Sequence, residues 1–229
     1  GSINNGYYTP FVSTITCGTG DFGEGGESDS ENFVLLGSTN NPKGAVAAVG
    51  TSSTGTHTAY NNIISMGIFE GIFSNQITHA GTATTNGRLT MLETYPTNPG
   101  DCVGAFSAWN NLIGDPALHL WTDTPKDFVF DHPEEISLGT NYLGLTIIDE
   151  NQEPVLGARV TILLGADAIF QSLLTDESGH VSFSWDALQE GELFVTVTKR
   201  NYRPYEGAVL ITSTDGYAIS PDYEGLSAS

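Results

Sequence analysis

Hydrophobic and polar positions follow two regimes along the chain. Up to about Thr124, short apolar runs alternate with segments of helical period. Pro10 to Thr16 is apolar and β-branched and ends at Cys17, with Gly18 and Gly20 just beyond. Gly44 to Gly50 is apolar on both faces and bounded by glycines, the pattern of a short strand buried on both sides. Asn61 to Phe73 carries Ile64, Ile68 and Ile72 at helical spacing, with Phe69 beside Phe73, and predicts an amphipathic helix. Gly87 to Tyr95 gives a second helix through Leu89, Met91 and Leu92, and Trp109 to Leu118 closes the half with a Gly-Asp-Pro turn. Strands alternating with helices predict α/β layering around a mostly parallel sheet.

From Phe128 to about Ile211 the period shortens. Leu143–Ile148, Ala158–Leu164, Val181–Trp185, Leu193–Thr198 and Ala208–Ile211 read as short strands separated by turn signals such as Thr175 to Gly179. This is the habit of a small immunoglobulin-like β-sandwich. The expected organisation is an α/β domain over residues 1–124, an all-β domain over 125–213, and a polar tail or linker over 214–229. Thr122 to His132, with Pro125 and Pro133 near its edges, reads as the link between the two domains. Gly18 to Asn32, polar and rich in glycine and acid, reads as a loop.

Composition narrows the partners. With 7 Lys+Arg against 27 Asp+Glu, the formal net charge is −20. Nucleic acid and anionic membranes need basic patches, so neither is expected as a partner. No run of 18 apolar residues is present, so no membrane span is expected. The start, Gly1 to Gly6, has neither the charge nor the apolar core of a signal peptide, and no initiating Met, which fits either a processed product or an engineered piece with Gly1-Ser2 as a scar. Abundant Gly, Thr, Ser and Asn with few Lys is the composition of an exported protein. Two cysteines, Cys17 and Cys102, are too few for a disulfide framework, although one bridge could form.

The chemistry centres on Cys17. A buried strand that delivers a thiol to its carboxyl end and then turns sharply puts a candidate nucleophile where ligands collect on open α/β sheets. The competing reading is a buried structural cysteine, which strand context alone favours. His119 alternates with apolar neighbours and reads as a strand histidine, whereas His79, His132 and His180 fall in loop or turn settings. No His or Cys pair has zinc spacing. Asp21, Glu24, Glu27, Asp29 and Glu31 could hold Ca2+ as a structural ion, but they lack EF-hand spacing and read better as a solvated charge run. No other cofactor is expected.

The order of these blocks resembles the carboxyl-terminal part of gingipain-type cysteine peptidases, secreted bacterial enzymes with a caspase-like catalytic domain followed by an immunoglobulin-like domain. The blocks are Thr16-Cys17-Gly18-Thr19-Gly20-Asp21-Phe22, then Gly44 to Ser52, an Asn-rich helix entry, Leu112 to Leu118, and the β domain. The resemblance implies a secreted or cell-surface cysteine endopeptidase with Cys17 as its nucleophile. It also implies an oxyanion held by backbone amides at the turn, with Gly18 contributing, and peptide or protein as substrate. It implies a catalytic His upstream of the cysteine, yet the first 16 residues contain none. The expected partner is therefore an amino-terminal chain or segment that carries the His. The family lines its substrate groove with an aromatic where this chain has Thr56 and His57, so these are the expected substrate-binding residues and a preference for Arg or Lys need not follow. The alternative from another class is a non-catalytic surface or assembly module that keeps the fold without its dyad. A sandwich-centred adhesin is a third reading.

Overall fold

The computed structural model describes residues 3–23, 25–166, 168–186 and 189–213. Its chain contacts divide it into two units, Gly1–Thr122 and Asp123–Ser229. Glu24 of the acidic run and the tail at 214–229 lie outside the described residues.

The first unit is built on β1 (Phe11–Ser13), α1 (Asp29–Leu35), a small hairpin of β2 (Gly37–Ser38) and β3 (Asn41–Pro42), β4 (Ala47–Thr51), α2 (Thr58–Phe73), α3 (Ala80–Thr94), α4 (Cys102–Trp109) and β5 (Asn110–Ile113). Its three-stranded sheet has the order β1-β4-β5. All five residues of β4 are buried, as expected for the middle strand of a covered sheet. β1 is an edge strand, so its residues are only half-buried, although the sequence predicts a buried strand there. β1 runs parallel to β4, Val12 opposite Ala48, while β5 runs antiparallel, Leu112 opposite Val49. The sheet is thus mixed where a mostly parallel one is expected. Hydrophobic period carries no sign of strand direction, and α4 leads into β5 without a loop and delivers it as an antiparallel edge.

Ile64, Ile68 and Ile72 are buried on α2, at most 4% exposed, facing Val49, Met91 and Phe106. α3 begins at Ala80, seven residues earlier than the periodicity predicts. Its first two turns carry Gly81, Thr82, Thr84, Thr85 and Gly87, poor helix formers. Tertiary packing overrides that: the Thr84 and Thr85 hydroxyls donate back to the Ala80 and Gly81 carbonyls, and the helix lies close against α2.

α1 interrupts the segment expected to be a loop. Ser28 caps it: the Glu31 amide donates to Ser28 Oγ at 3.4 Å, and the Ser28 amide donates to Glu31 Oε2 at 2.8 Å. The Ser-x-x-Glu spacing that forms this capping box is present in the sequence. Ser28→Ala is expected to lower the unfolding free energy by about 1 kcal/mol, read from urea denaturation.

The second unit is all-β among its described residues. It comprises β6 (Phe128–Val129), β7 (Glu135–Ser137), β8 (Tyr142–Thr146), β9 (Ile148–Asp149), β10 (Arg159–Leu164), β11 (Ile169–Leu174), β12 (His180–Ser184), β13 (Gly191–Thr198) and β14 (Tyr205–Thr212). A five-stranded sheet runs β11-β10-β13-β14-β7, and β12 pairs with β8 and β6 with β9. Alternate residues point inward, so Val160, Ile162, Val195 and Val197 from the large sheet share one core with Leu143, Leu145, Val181 and Phe183 from the small one. The predicted link at Thr122–His132 is instead largely built into this unit. Phe128 and Phe130 pack on its core, β6 pairs with β9, and Lys126 Nζ lies 3.1 Å from Asp149 Oδ2. The flanking prolines obscure two inward-facing aromatics. No helix among the described residues is long and apolar enough to cross a membrane.

Candidate active site

The turn after β1 is fixed by bonds to the extension of β4. The Thr14 amide donates to the Val49 carbonyl, the Gly18 amide to Ser53 at 2.9 Å and the Gly20 amide to Thr51 at 3.0 Å. Gly18 has φ +71°, a left-handed conformation that disfavours a side chain. At Gly20 the constraint is space, because an added Cβ would lie 2.6 Å from the carbonyl carbon of Gly50. The Ser30 amide, in the first turn of α1, donates to the Thr19 carbonyl at 2.8 Å and secures the far side of the turn.

This turn leaves Cys17 half-buried with a free thiol. Its Sγ lies 3.0 Å from Thr56 Oγ1, which donates to it, and 3.3 Å from the Thr56 carbonyl, which accepts from it. The Thr56 hydroxyl lowers the thiol pKa below its ordinary value. Partial desolvation opposes this, and backbone hydrogen bonds at Thr56 and at Cys17 itself add to the lowering. Behind Thr56 stands Asn61 of α2, whose Nδ2 donates to Thr56 Oγ1 at 3.0 Å and to the Ile15 carbonyl at 3.3 Å. Asn110, at the start of β5, donates in turn to Asn61 Oδ1 at 3.0 Å.

The expected site residues come together only in part. Thr56 is beside the sulfur, closer to the chemistry than a groove wall. His57 is exposed and serves as the N-cap of α2; its Nδ1 accepts from the Ala59 amide at 3.2 Å, and its ring meets Tyr60 edge-on at 5.8 Å. Gly18 shapes the turn, but the oxyanion role expected of its amide needs correcting, because that N–H is engaged with the Ser53 carbonyl. A turn that folds back along an extended segment uses its amides to pair with it. The Cys17 amide, in contrast, has no backbone acceptor among the described residues.

The remaining histidines have partners of their own. His79 and His119 stack on each other with ring centroids 4.1 Å apart, His132 bonds the Tyr205 hydroxyl, and His180 bonds Thr146. Cys102 opens α4 as a free thiol, and its nearness raises the pKa of the Tyr60 phenol. Of the acidic run, Glu31 is held by Ser28, and the described residues assemble no cluster of three or more His, Cys, Asp or Glu fit for a metal. Asn61 and Asn110 are the functional candidates that sequence reading misses. A signal for Asn61 existed: it is a polar residue set seven positions before Ile68 on the apolar stripe of α2.

The sequence model for peptidase family C25 matches residues 1–121. Among solved structures, the Arg-specific cysteine proteinase gingipain R (RgpB) superposes with a TM-score of 0.64 at 20% identity, covering 91% of this chain and 46% of its own. A complex of the pro- and mature domains of Porphyromonas gingivalis RgpB gives 0.66 at 20% identity, with 91% and 48% covered. A structure described only as a protease gives 0.62 at 15% identity, with 90% and 48% covered. At these identities the likeness shows the fold, a gingipain-like, caspase-type α/β arrangement with a mixed sheet. The chain spans about half the length of the structures it matches. No curated protein matches it.

Proposed function

The chain belongs to peptidase family C25, and from that premise we propose that it is the nucleophile-bearing part of a secreted or cell-surface cysteine endopeptidase of gingipain type. The observation that carries this reading is the partly exposed Cys17 thiol in the turn that follows strand β1, with a hydroxyl donor 3.0 Å from its sulfur. A thiolate there adds to the scissile carbonyl carbon, and the oxyanion that forms is met by the Cys17 amide. The leaving amine takes its proton from a protonated base, and water then cleaves the thioester to free the acid and restore the thiol.

The base is the other half of the dyad. No histidine among the described residues hydrogen-bonds the thiol, so we assign this role to a His on a segment amino-terminal to these residues. Thr56 and His57 border the groove for the residue before the cut, and the second unit is read as an immunoglobulin-like domain. A peptidyl acyloxymethyl ketone applied to the full-length protein tests the assignment. Peptide mapping should find the thioether on Cys17 and none on Cys102, and labelling of Cys102 alone would count against it. The lack of a thiol–histidine hydrogen bond also favours a second reading, a non-catalytic module that keeps the fold. Under that reading Cys17 takes the label no faster than free cysteine does.

His57 separates specificity from chemistry. His57→Ala is expected to raise KM for peptide substrates roughly fivefold and to change the preferred residue before the cut, with kcat within about twofold. A positional-scanning peptide library reads both quantities.

A further inference from the structure

The Cys17 sulfur is the outer end of a hydrogen-bonded chain that starts in the core. Asn110 and Asn61 are each only 1% exposed. Asn110 Nδ2 donates to the Phe106 carbonyl at 2.9 Å and to Asn61 Oδ1 at 3.0 Å, while its own Oδ1 receives the Thr51 hydroxyl at 3.5 Å. These bonds fix the orientation of the Asn61 amide. Its oxygen faces Asn110, so its nitrogen faces outward, giving one hydrogen to the Ile15 carbonyl and the other to Thr56 Oγ1. Burying two amides is costly unless their polar atoms are paired, and here the donors and acceptors of both are engaged. With an N–H already on its oxygen, the Thr56 hydroxyl directs its own proton away from Asn61 and toward the sulfur 3.0 Å away.

We propose that Asn61, oriented by Asn110, is a positioning residue that holds the Thr56 hydroxyl as a donor to the Cys17 sulfur, so that the thiolate is stabilised in place. The catalytic meaning of this relay rests on Cys17 being the nucleophile, but its physical effect can be measured without any turnover. Several titratable or charged groups lie on the segments that meet here. Asp21 is in the Cys17 turn, Asp29 and Glu31 are on α1, His57 caps α2 and Tyr60 is on it, Arg88 is on α3, and Cys102 is on α4. None of them bonds the sulfur, and Arg88 reaches the relay only by donating to the Asn110 carbonyl at 2.8 Å. The neutral relay is therefore the direct influence on the thiol.

The test is the pH dependence of Cys17 alkylation by iodoacetamide in the full-length protein, with Cys17 and Cys102 peptides quantified separately by mass spectrometry. Thr56→Val should raise the midpoint by about one pH unit, slowing alkylation about tenfold below it. Thr56→Ser, which keeps the hydroxyl, should leave the midpoint in place. Asn61→Ala should raise it by about half a unit, and T56V/N61A should move no further than T56V alone, because Asn61 acts only through Thr56. If Asn61→Ala does not fold, the near-isosteric Asn61→Asp serves, since a carboxylate cannot donate to Thr56 and should raise the midpoint at least as far. An unchanged or lowered midpoint in the Asn61 variant, or additive shifts in the double variant, overturns the relay. The peptidase reading fails separately: hydrolysis that survives Cys17→Ala removes it whatever the alkylation midpoints show.

Discussion

Replacing Cys17 with alanine in the full-length protein should abolish peptide hydrolysis, a loss on the order of 10^4-fold or more in kcat. The size of the effect follows from the covalent step. Without the sulfur no acyl intermediate forms, and what remains is whatever an amide donor and a bound base give to direct attack by water. The fold should not register the change. Cys17 is partly exposed, and among the described residues its side chain bonds only Thr56. The thermal midpoint of Cys17→Ala should therefore match the wild type, which separates loss of chemistry from loss of structure. Cys102→Ala serves as the control and should retain hydrolysis, because Cys102 faces Tyr60 rather than the Cys17 turn.

Gly20→Ala should act through geometry and damage both stability and activity. The new methyl would lie 2.6 Å from the carbonyl carbon of Gly50, 2.7 Å from its oxygen and 2.9 Å from its Cα. Those atoms are backbone of the fully buried β4, flanked by β1 and β5, so they cannot move aside. The turn must lift instead, breaking the Gly20–Thr51 bond and shifting Cys17 away from Thr56. Overpacking of this kind costs roughly 1–3 kcal/mol, and a displacement of about 1 Å at a nucleophile can lower the rate about 100-fold. Urea unfolding and single-turnover hydrolysis would read the two effects. Gly25→Ala in the following loop, where an added methyl meets nothing within 4 Å, should change neither.

The elements legible in the sequence are those in which one physical signal dominates. β4 is apolar on both faces because it is the middle strand, and Ile64, Ile68 and Ile72 mark the buried stripe of α2. The strands of the second unit alternate because each has one face in the core. What escaped is set by competing or long-range effects. α1 has the Ser28–Glu31 capping signature, but the surrounding glycines and acids suggest a loop. The first turns of α3 contradict helix propensity and form because small residues let two helices approach. Strand direction at β5 is invisible to periodicity.

Of the candidate site, the sequence offers the residues but not their contacts. Cys17 stands out through its block, and Thr56 and His57 through their place after β4. The oxyanion expectation at Gly18 fails because a sequence does not say which amide a turn has already used. The amide relay joins residues 17, 56, 61 and 110 from a turn, a helix entry, a helix and an edge strand. Only the folded chain brings them within hydrogen-bonding distance.

The peptidase proposal requires Cys17 to form a covalent bond with the acyl part of a peptide. Rapid acid quench of the full-length protein during turnover of a slow peptide ester, followed by peptide mapping, tests it most directly. A thioester adduct of the acyl mass is expected on the peptide containing Cys17, formed within the first turnover and absent from Cys17→Ala. An adduct on any other residue, or steady hydrolysis by Cys17→Ala at the wild-type rate, would contradict it.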